Sequence, residues 1–277
     1  MKPLLLFLVL ILLFTICCVC TSAENIAVPH KVRNAQKLQA LHVKPGGGIG
    51  NKMRIIVAHL SVDKPLIIYW PRSVDCTGTF LDCFKPIKNV TFVVGEHSNK
   101  KYDYAGFEAC SPIVSMYHPQ LTQDNIKHIC TDGYRHIQPL PKIQRVVDAF
   151  VKKHNIKSAV AVHVRRTDFV KILKKRHANS SDYADFFSAI DALPPHIPIF
   201  LATDNRQTQL DFIKKYPGRV SVYKDLSHKK LRGAQRLTSM EDSVIDMYVA
   251  KDAKYFIGTP YSSFSDMIGA LRLTTTV

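Results

Sequence analysis

The residues best suited to chemistry are His163-Val164-Arg165-Arg166-Thr167-Asp168. Two adjacent guanidinium groups are planar donor forks that match phosphate oxygens. An aspartate beside them can orient a guanidinium or accept a hydroxyl proton. On an ordinary loop the same residues would make a surface ion pair. Here they end an apolar run, residues 159–164, so the arginines stand at the end of a buried strand, where open parallel sheets bind ligands.

Three more polar clusters follow apolar runs in the same way. Thr203-Asp204 ends the run 197–202, and Gly258-Thr259-Pro260-Tyr261-Ser262-Ser263 ends the run 255–257. The two serines precede a helix starting near Phe264, so their hydroxyls and the first amides of that helix can cradle a phosphate. Plain capping of the helix is compatible with that role. The loop Gly46-Gly47-Gly48-Ile49-Gly50-Asn51 follows the run 38–43 and opens another helix. Its glycines let backbone approach a ligand closely, and a tight packing turn accounts for them equally well. It is not a P-loop, because Asn51 stands where a glycine must precede the lysine, and it lacks the third glycine of the dinucleotide fingerprint. His163 reads as a strand-end residue, structural or ligand-contacting, rather than a metal ligand. The sequence contains no Asp-x-Asp, so any diphosphate here would be neutralised by arginine and amides, and no metal is expected. No Gly-x-Ser-x-Gly elbow supports a hydrolase.

The elements that must position these clusters read as follows. Strands are predicted at 38–43, 66–70, 91–94, 159–164, 197–202, 220–223 and 255–257. Helices are predicted at 52–60, 143–154, up to about 215, 241–253 and from about 264. Residues 76–141 read as loop-rich. Strands that are apolar throughout, alternating with helices, indicate an α/β fold with parallel sheets buried on both faces. The predicted organisation is a membrane-directing segment (1–23), a short stem (24–37), an N-terminal Rossmann-like domain (38–142) and a C-terminal one (143–277).

The segment His163–Asp168 resembles the first signature of the α1,6-fucosyltransferases and the rhizobial chitin-oligosaccharide fucosyltransferases. The α1,2- and protein O-fucosyltransferases carry looser versions of it. Ala202-Thr203-Asp204 is similar to their second signature, Gly258 through Ser265 to their third, and Gly47 through Arg54 to their glycine-rich loop, all in the family's order. The resemblance implies a GT-B-like fold of two Rossmann-like parallel-sheet domains, with the donor site in the C-terminal one. It implies inverting, metal-independent transfer of fucose from GDP-fucose to a hydroxyl of a glycan or protein acceptor. Arg165 is then the first candidate to stabilise the departing GDP, with Arg166 placing phosphate or ordering the loop. Donor contacts are expected at His163, Arg166, Thr203, Asp204, Asp246, Ser262, Ser263, Phe264, Gly48, Asn51 and Arg54. Asp246 matches the acidic residue that recognises guanine in these enzymes; a carboxylate accepts from N1–H and the N2 amine together. A solvated helix-face residue is the other reading. Asp168 is the candidate base, because residues 169–178 hold no carboxylate, and chemistry without a base is the alternative.

The formal net charge of +16 favours anionic partners such as nucleotide-sugar phosphates, anionic glycans or a membrane surface. With the basic residues spread along the chain, nucleic acid is not expected. Residues 4–20 form an apolar run after Lys2, interrupted by Thr15. It exceeds a usual signal-peptide core of about 7–15 residues, which favours a signal anchor over a cleaved signal peptide. A single-pass type II Golgi membrane protein with a lumenal catalytic domain is therefore expected, with secretion as the alternative. Two sequons, at Asn89 and Asn179, agree with a lumenal chain. Four cysteines beyond the apolar run, Cys76, Cys83, Cys110 and Cys130, allow up to two disulfides. Two rivals remain at this level: transfer of another nucleotide-linked sugar, and a secreted basic glycan-binding protein without catalysis.

Overall fold

The computed structural model describes residues 39–73, 76–95, 101–166, 183–226 and 238–274. Four apolar segments pair in parallel as a first sheet: β1 (Leu41–Pro45), β2 (Leu66–Trp70), β3 (Val90–Val94) and β4 (Tyr104–Gly106), in the order β3-β2-β1-β4. Four more make a second: β5 (Val160–Val164), β6 (Ile199–Thr203), β7 (Val220–Ser221) and β8 (Tyr255–Gly258), in the order β7-β6-β5-β8. The two sheets thus repeat one topology. In each, the third, second and first strands lie side by side and the fourth crosses back to the far side of the first. That reversal opens a crevice at the carboxyl ends of the first and fourth strands. All five residues of β5 and of β6 are buried, because both strands are central and covered on both faces. This is why the two read as unbroken apolar runs.

Nine α-helices occur among the described residues: α1 (Ile49–Leu60), α2 (Phe80–Cys83), α3 (Cys110–Tyr117), α4 (Gln123–Asp132), α5 (Pro141–Lys153), α6 (Ala184–Asp191), α7 (Arg206–Lys215), α8 (Met240–Lys251) and α9 (Ser263–Leu273). Their ends follow local rules. Proline at the first position of α5 gives up an amide that would have no partner inside the helix. A capping box of Ser239 and Asp242 starts α8, and the Asn205 side chain caps α7. From Val244 to Ala250 every residue of α8 is buried, as expected of a helix enclosed by other elements.

Leu38–Val277 forms one compact unit. A single apolar cluster runs from Leu41 and Trp70 through Ile143 and Val147 to Ile245 and Leu271, so the two sheets share a core. A second cluster, around Val162, Phe186 and Phe212, packs against the second sheet. The helix α9 buries Met267, Ile268 and Leu271 in the shared core and lies against α1.

The stretch 76–141, expected to be loop-rich around a strand at 91–94, holds α2, α3, α4 and β4 besides that strand, β3. Helix α1 starts three residues earlier than predicted, inside the glycine-rich run, and β6 starts two residues later, after Pro198. Cys110 and Cys130 form a disulfide with 5.9 Å between Cα atoms, tying α3 to α4. Cys76 and Cys83 are buried thiols, and burial pushes the Cys83 pKa up to about 12. Asn89 of the first sequon is exposed where the chain enters β3. The second sequon, Asp168 and the apolar N-terminal run lie outside the described residues. No described helix is long and apolar enough to cross a membrane.

Candidate active site

The end of β5 is stitched to its neighbours by two threonines. Thr259 donates through its hydroxyl to the His163 carbonyl (2.9 Å) and accepts from the Arg165 amide (2.9 Å), locking the exits of β5 and β8 together. Thr203 donates to the Val164 carbonyl (2.8 Å), and the Asp204 carboxylate accepts from the Arg166 amide (3.2 Å). Thr203 and Asp204 therefore hold the backbone that presents the arginines. Successive residues at a strand end point opposite ways, and here the Arg165 amide bonds toward β8 while the Arg166 amide bonds toward β6. The Arg166 guanidinium lies over the Tyr183 ring at 4.6 Å, and the Tyr183 hydroxyl bonds Thr208 (2.9 Å). Arg165 is half-buried at the crevice between β5 and β8.

His163 is buried. Its Nδ1 lies 2.8 Å from the Ser265 hydroxyl, and its ring packs on Phe264 with centroids 4.6 Å apart. Burial, helped by the positive charge of Arg165, drives its pKa down to about 3. The imidazole is neutral at physiological pH and braces α9 against β5. Gly258 permits this, because a Cβ there would lie 2.8 Å from the Ser265 Cβ.

Two helix N-termini meet beside these residues. Helix α9 begins after the buried Ser262, and α1 after Gly48; neither has a side-chain cap. Gly50 lies so close to α9 that a Cβ on it would come within 2.7 Å of the Ser263 carbonyl carbon and oxygen. Each helix start carries roughly half a positive charge together with amides that have no partner inside the helix. Side by side, the two make a corner that concentrates positive potential of the kind that suits an anion.

The other residues of the glycine-rich loop support it. Gly47 has φ +72°, and the Asn51 side chain folds back over it, with Nδ2 2.5 Å from where a Cβ would stand. Arg54 donates to the Phe107 carbonyl (2.6 Å) and so fixes the exit of β4. Lys52 is only 1% exposed. Its ammonium donates to the carbonyls of Pro45 and Pro71 (3.1 Å each) and sits 4.9 Å from the Trp70 ring centroid. Sequence reasoning missed the roles of Lys52, Tyr183, Thr259 and Ser265. The last two lie inside the third signature, which was a usable signal; nothing around Tyr183 marks it.

Asp246, in α8, is buried and has no hydrogen-bond partner among the described residues. Its pKa is raised well above the usual carboxylate range by burial, with a further push from Asp242 one turn earlier. Asp242 accepts from the Ser239 amide (3.1 Å) and lies 3.5 Å from the Lys224 ammonium. Among the described residues, no group of three or more His, Cys, Asp or Glu is placed to hold a metal ion.

The family model for GDP-fucose protein O-fucosyltransferases matches residues 72–274, close to three quarters of the chain and the whole of the second sheet. The chain belongs to this family. It is a fucosyltransferase, and the donor that its family uses is GDP-fucose. Comparison with curated proteins returns no match. Among solved structures, NodZ α1,6-fucosyltransferase co-crystallised with GDP aligns with a TM-score of 0.54 at 16% identity, over 84% of this chain and 92% of the other. NodZ from Bradyrhizobium gives 0.53, 16%, 84% and 92%. POFUT1 in complex with GDP-fucose gives 0.53 at 12% identity, covering 84% and 94%. At such identities the likeness speaks for the fold alone: this fucosyltransferase has the GT-B-like architecture of two parallel-sheet units.

Proposed function

We propose that this fucosyltransferase inverts the anomeric centre of fucose, works without a metal ion, and modifies a hydroxyl of a glycan acceptor. The observation that carries the reading is the meeting of the α1 and α9 N-termini beside Arg165 at the ends of β5 and β8. In this reading the diphosphate lies across the two helix starts and Arg165 faces the bridging oxygen. Arg166 orders the loop from its place on Tyr183, and Asp246 accepts from the guanine N1–H and N2 amine. His163, Ser262, Ser263, Phe264, Gly48 and Asn51 shape the corner. The acceptor hydroxyl oxygen bonds to the anomeric carbon as the bond to the β-phosphate oxygen breaks. The hydroxyl proton passes to Asp168 or, in the alternative without a base, to the departing diphosphate or water. The electron pair leaves on GDP, where helix amides and Arg165 stabilise it. Positive charge already in place does the work of a divalent cation, which supports metal independence.

Two exposed aromatics favour a sugar acceptor. Phe107 (66% exposed) follows β4 and Tyr261 (63%) follows β8, equivalent places in the two sheets. Aromatic faces at the mouth of a polar crevice suit the apolar faces of pyranose rings. The Cys110–Cys130 disulfide and the exposed Asn89 support a lumenal chain, and the apolar run at 4–20 supports anchoring in the Golgi membrane. Two lobes, 38–142 and 143–277, remain the proposed division of labour, the second holding the donor.

Melting curves test the donor site. GDP at about 100 times its Kd should add roughly 2.7 kcal/mol of stability, with EDTA present and with UDP inactive. Arg165→Ala should remove most of that shift, since a charge-assisted contact contributes about 1.5–3 kcal/mol. A shift that requires added Mg²⁺, or one unchanged in the variant, would overturn the reading.

A further inference from the structure

Away from the donor corner, a cavity of 610 Å³ lies where the two halves of the chain join. Its floor is apolar, formed by Tyr134, Ile137, Tyr248 and Leu271, all buried. Its rim is cationic, with Lys85, Arg135, Arg145 and Lys251, and no described carboxylate lines it. Arg135 is partly neutralised by Asp132 (3.3 Å) and Lys251 by Asp252 (2.7 Å), both outside the lining. Arg145 has no carboxylate partner among the described residues, and the Lys85 ammonium donates only to the Gln138 amide oxygen (3.3 Å). Two positive charges are thus left facing the cavity.

The backbone adds to the field. Helix α5, thirteen residues long, begins at the cavity with Pro141, and its N-cap Leu140 offers no side-chain acceptor. The positive end of its dipole therefore points where the rim charges converge. The opposing negative end, at the close of α8, is covered by Arg272, which donates to the carbonyls of Ala250, Lys251, Ala253 and Lys254 (2.5–3.3 Å). The segment before α5 is held in place rather than free to collapse inward. Lys85 donates its amide to the Gln138 carbonyl and Leu140 to the Cys83 carbonyl (2.8 Å each), and the Tyr248 hydroxyl donates to the Ile137 carbonyl.

We infer that this cavity binds an anionic sugar, a sulfate or phosphate ester carried on one or two polyhydroxylated rings. The volume falls within the roughly 300–1,000 Å³ of small-ligand sites. The cationic rim with an uncapped helix start suits the oxyanion, and the tyrosines, Gln138, Gln144 and Thr274 suit ring faces and hydroxyls. The site is separate from the donor corner and does not depend on how that corner is read. Because its walls come from both halves, an occupant would brace them together.

The test uses the full chain and two soluble probes, a sulfated heparin disaccharide and inositol trisphosphate, compared with matched ionic strength of NaCl. At least one probe is expected to raise Tm by several degrees at saturation, and the responding probe tells sulfate from phosphate. The shift should persist with saturating GDP and in Arg165→Ala. The double variant Lys85→Glu, Arg145→Glu changes only exposed side chains; it should lose the probe shift and keep the GDP shift. A probe shift abolished by GDP, retained in the double variant, or reproduced by NaCl would overturn the inference, as would silence of both probes.

Discussion

At the scale of single residues, the strongest tension is at Asp246. Its carboxyl is buried with a raised pKa, so from about pH 4 up to that raised value the native state keeps a proton that the unfolded chain has lost. Stability contributed by this group is full below the unfolded pKa and declines as pH rises through the folded one. Guanine bound as proposed would reverse the preference, because only the ionised carboxylate accepts from both of its donors. GDP binding should therefore release a proton and tighten as pH rises through the Asp246 pKa. Asp246→Asn should make the free protein more stable at neutral pH and flatten that pH profile. It should also cut the preference for GDP over ADP by about 10- to 150-fold, the equivalent of a charged hydrogen bond. Calorimetric titration at several pH values, with melts of both proteins, checks this; unchanged nucleotide preference would remove Asp246 from base recognition. His163 has the opposite sign. Its pKa falls to about 3, so its contribution is complete above pH 6.5 and is lost toward acid. Held neutral, it braces α9 through Ser265 and Phe264.

At the scale of elements, the proposed donor site rests on how closely α1 and α9 approach. Gly50→Ala places a methyl 2.7 Å from the backbone of Ser263. Backbone cannot swing aside as a long side chain can, so one helix must move. The variant should lose about 1–3 kcal/mol of stability and most of its GDP response, while Gly218→Ser, in open space though at φ +74°, should keep the GDP response. Melts with and without GDP separate the two; equal GDP shifts in both would mean that the corner does not depend on this contact. The same elements show what could be read in advance. Strands β5 and β6 were legible because central parallel strands must be apolar on both faces, and β8 because its exit carries the serine-rich signature. Helices α2–α4 were not: α2 has four residues, and α4 buries Ile126 alone, leaving no apolar stripe to detect. Of the candidate site, the positions at strand ends were legible and the side-chain directions were not. Arg166 turning to Tyr183, and Lys52 turning inward to two carbonyls, depend on residues far away in sequence. A lysine in the first turns of a helix reads as solvated until its partners are known.

At the scale of the whole molecule, the two parallel-sheet halves share a core. The cluster that contains Trp70 and Phe80 of the first half also contains Val147, Phe200, Val249 and Leu271 of the second. Burial on this scale couples the halves: unfolding one would expose apolar surface of the other, at about 25 cal/mol per Å². The two should therefore unfold as one cooperative unit even though each sheet repeats the same topology. The chain offers a clean probe, since Trp70 is its single tryptophan. It is fully buried, donates to the Gly78 carbonyl (2.8 Å), and lies in the first sheet, whereas Asp246 and Arg165, proposed to bind GDP, lie in the second half of the chain. Denaturant unfolding followed by Trp70 fluorescence should coincide with unfolding followed by far-ultraviolet dichroism, as two-state behaviour requires. Saturating GDP should move both transitions by the same amount, because the proposed site takes one helix start from each half and the halves share a core. If the fluorescence transition comes earlier and ignores GDP, the halves are energetically independent, and the division into lobes is a division of stability as well as of labour.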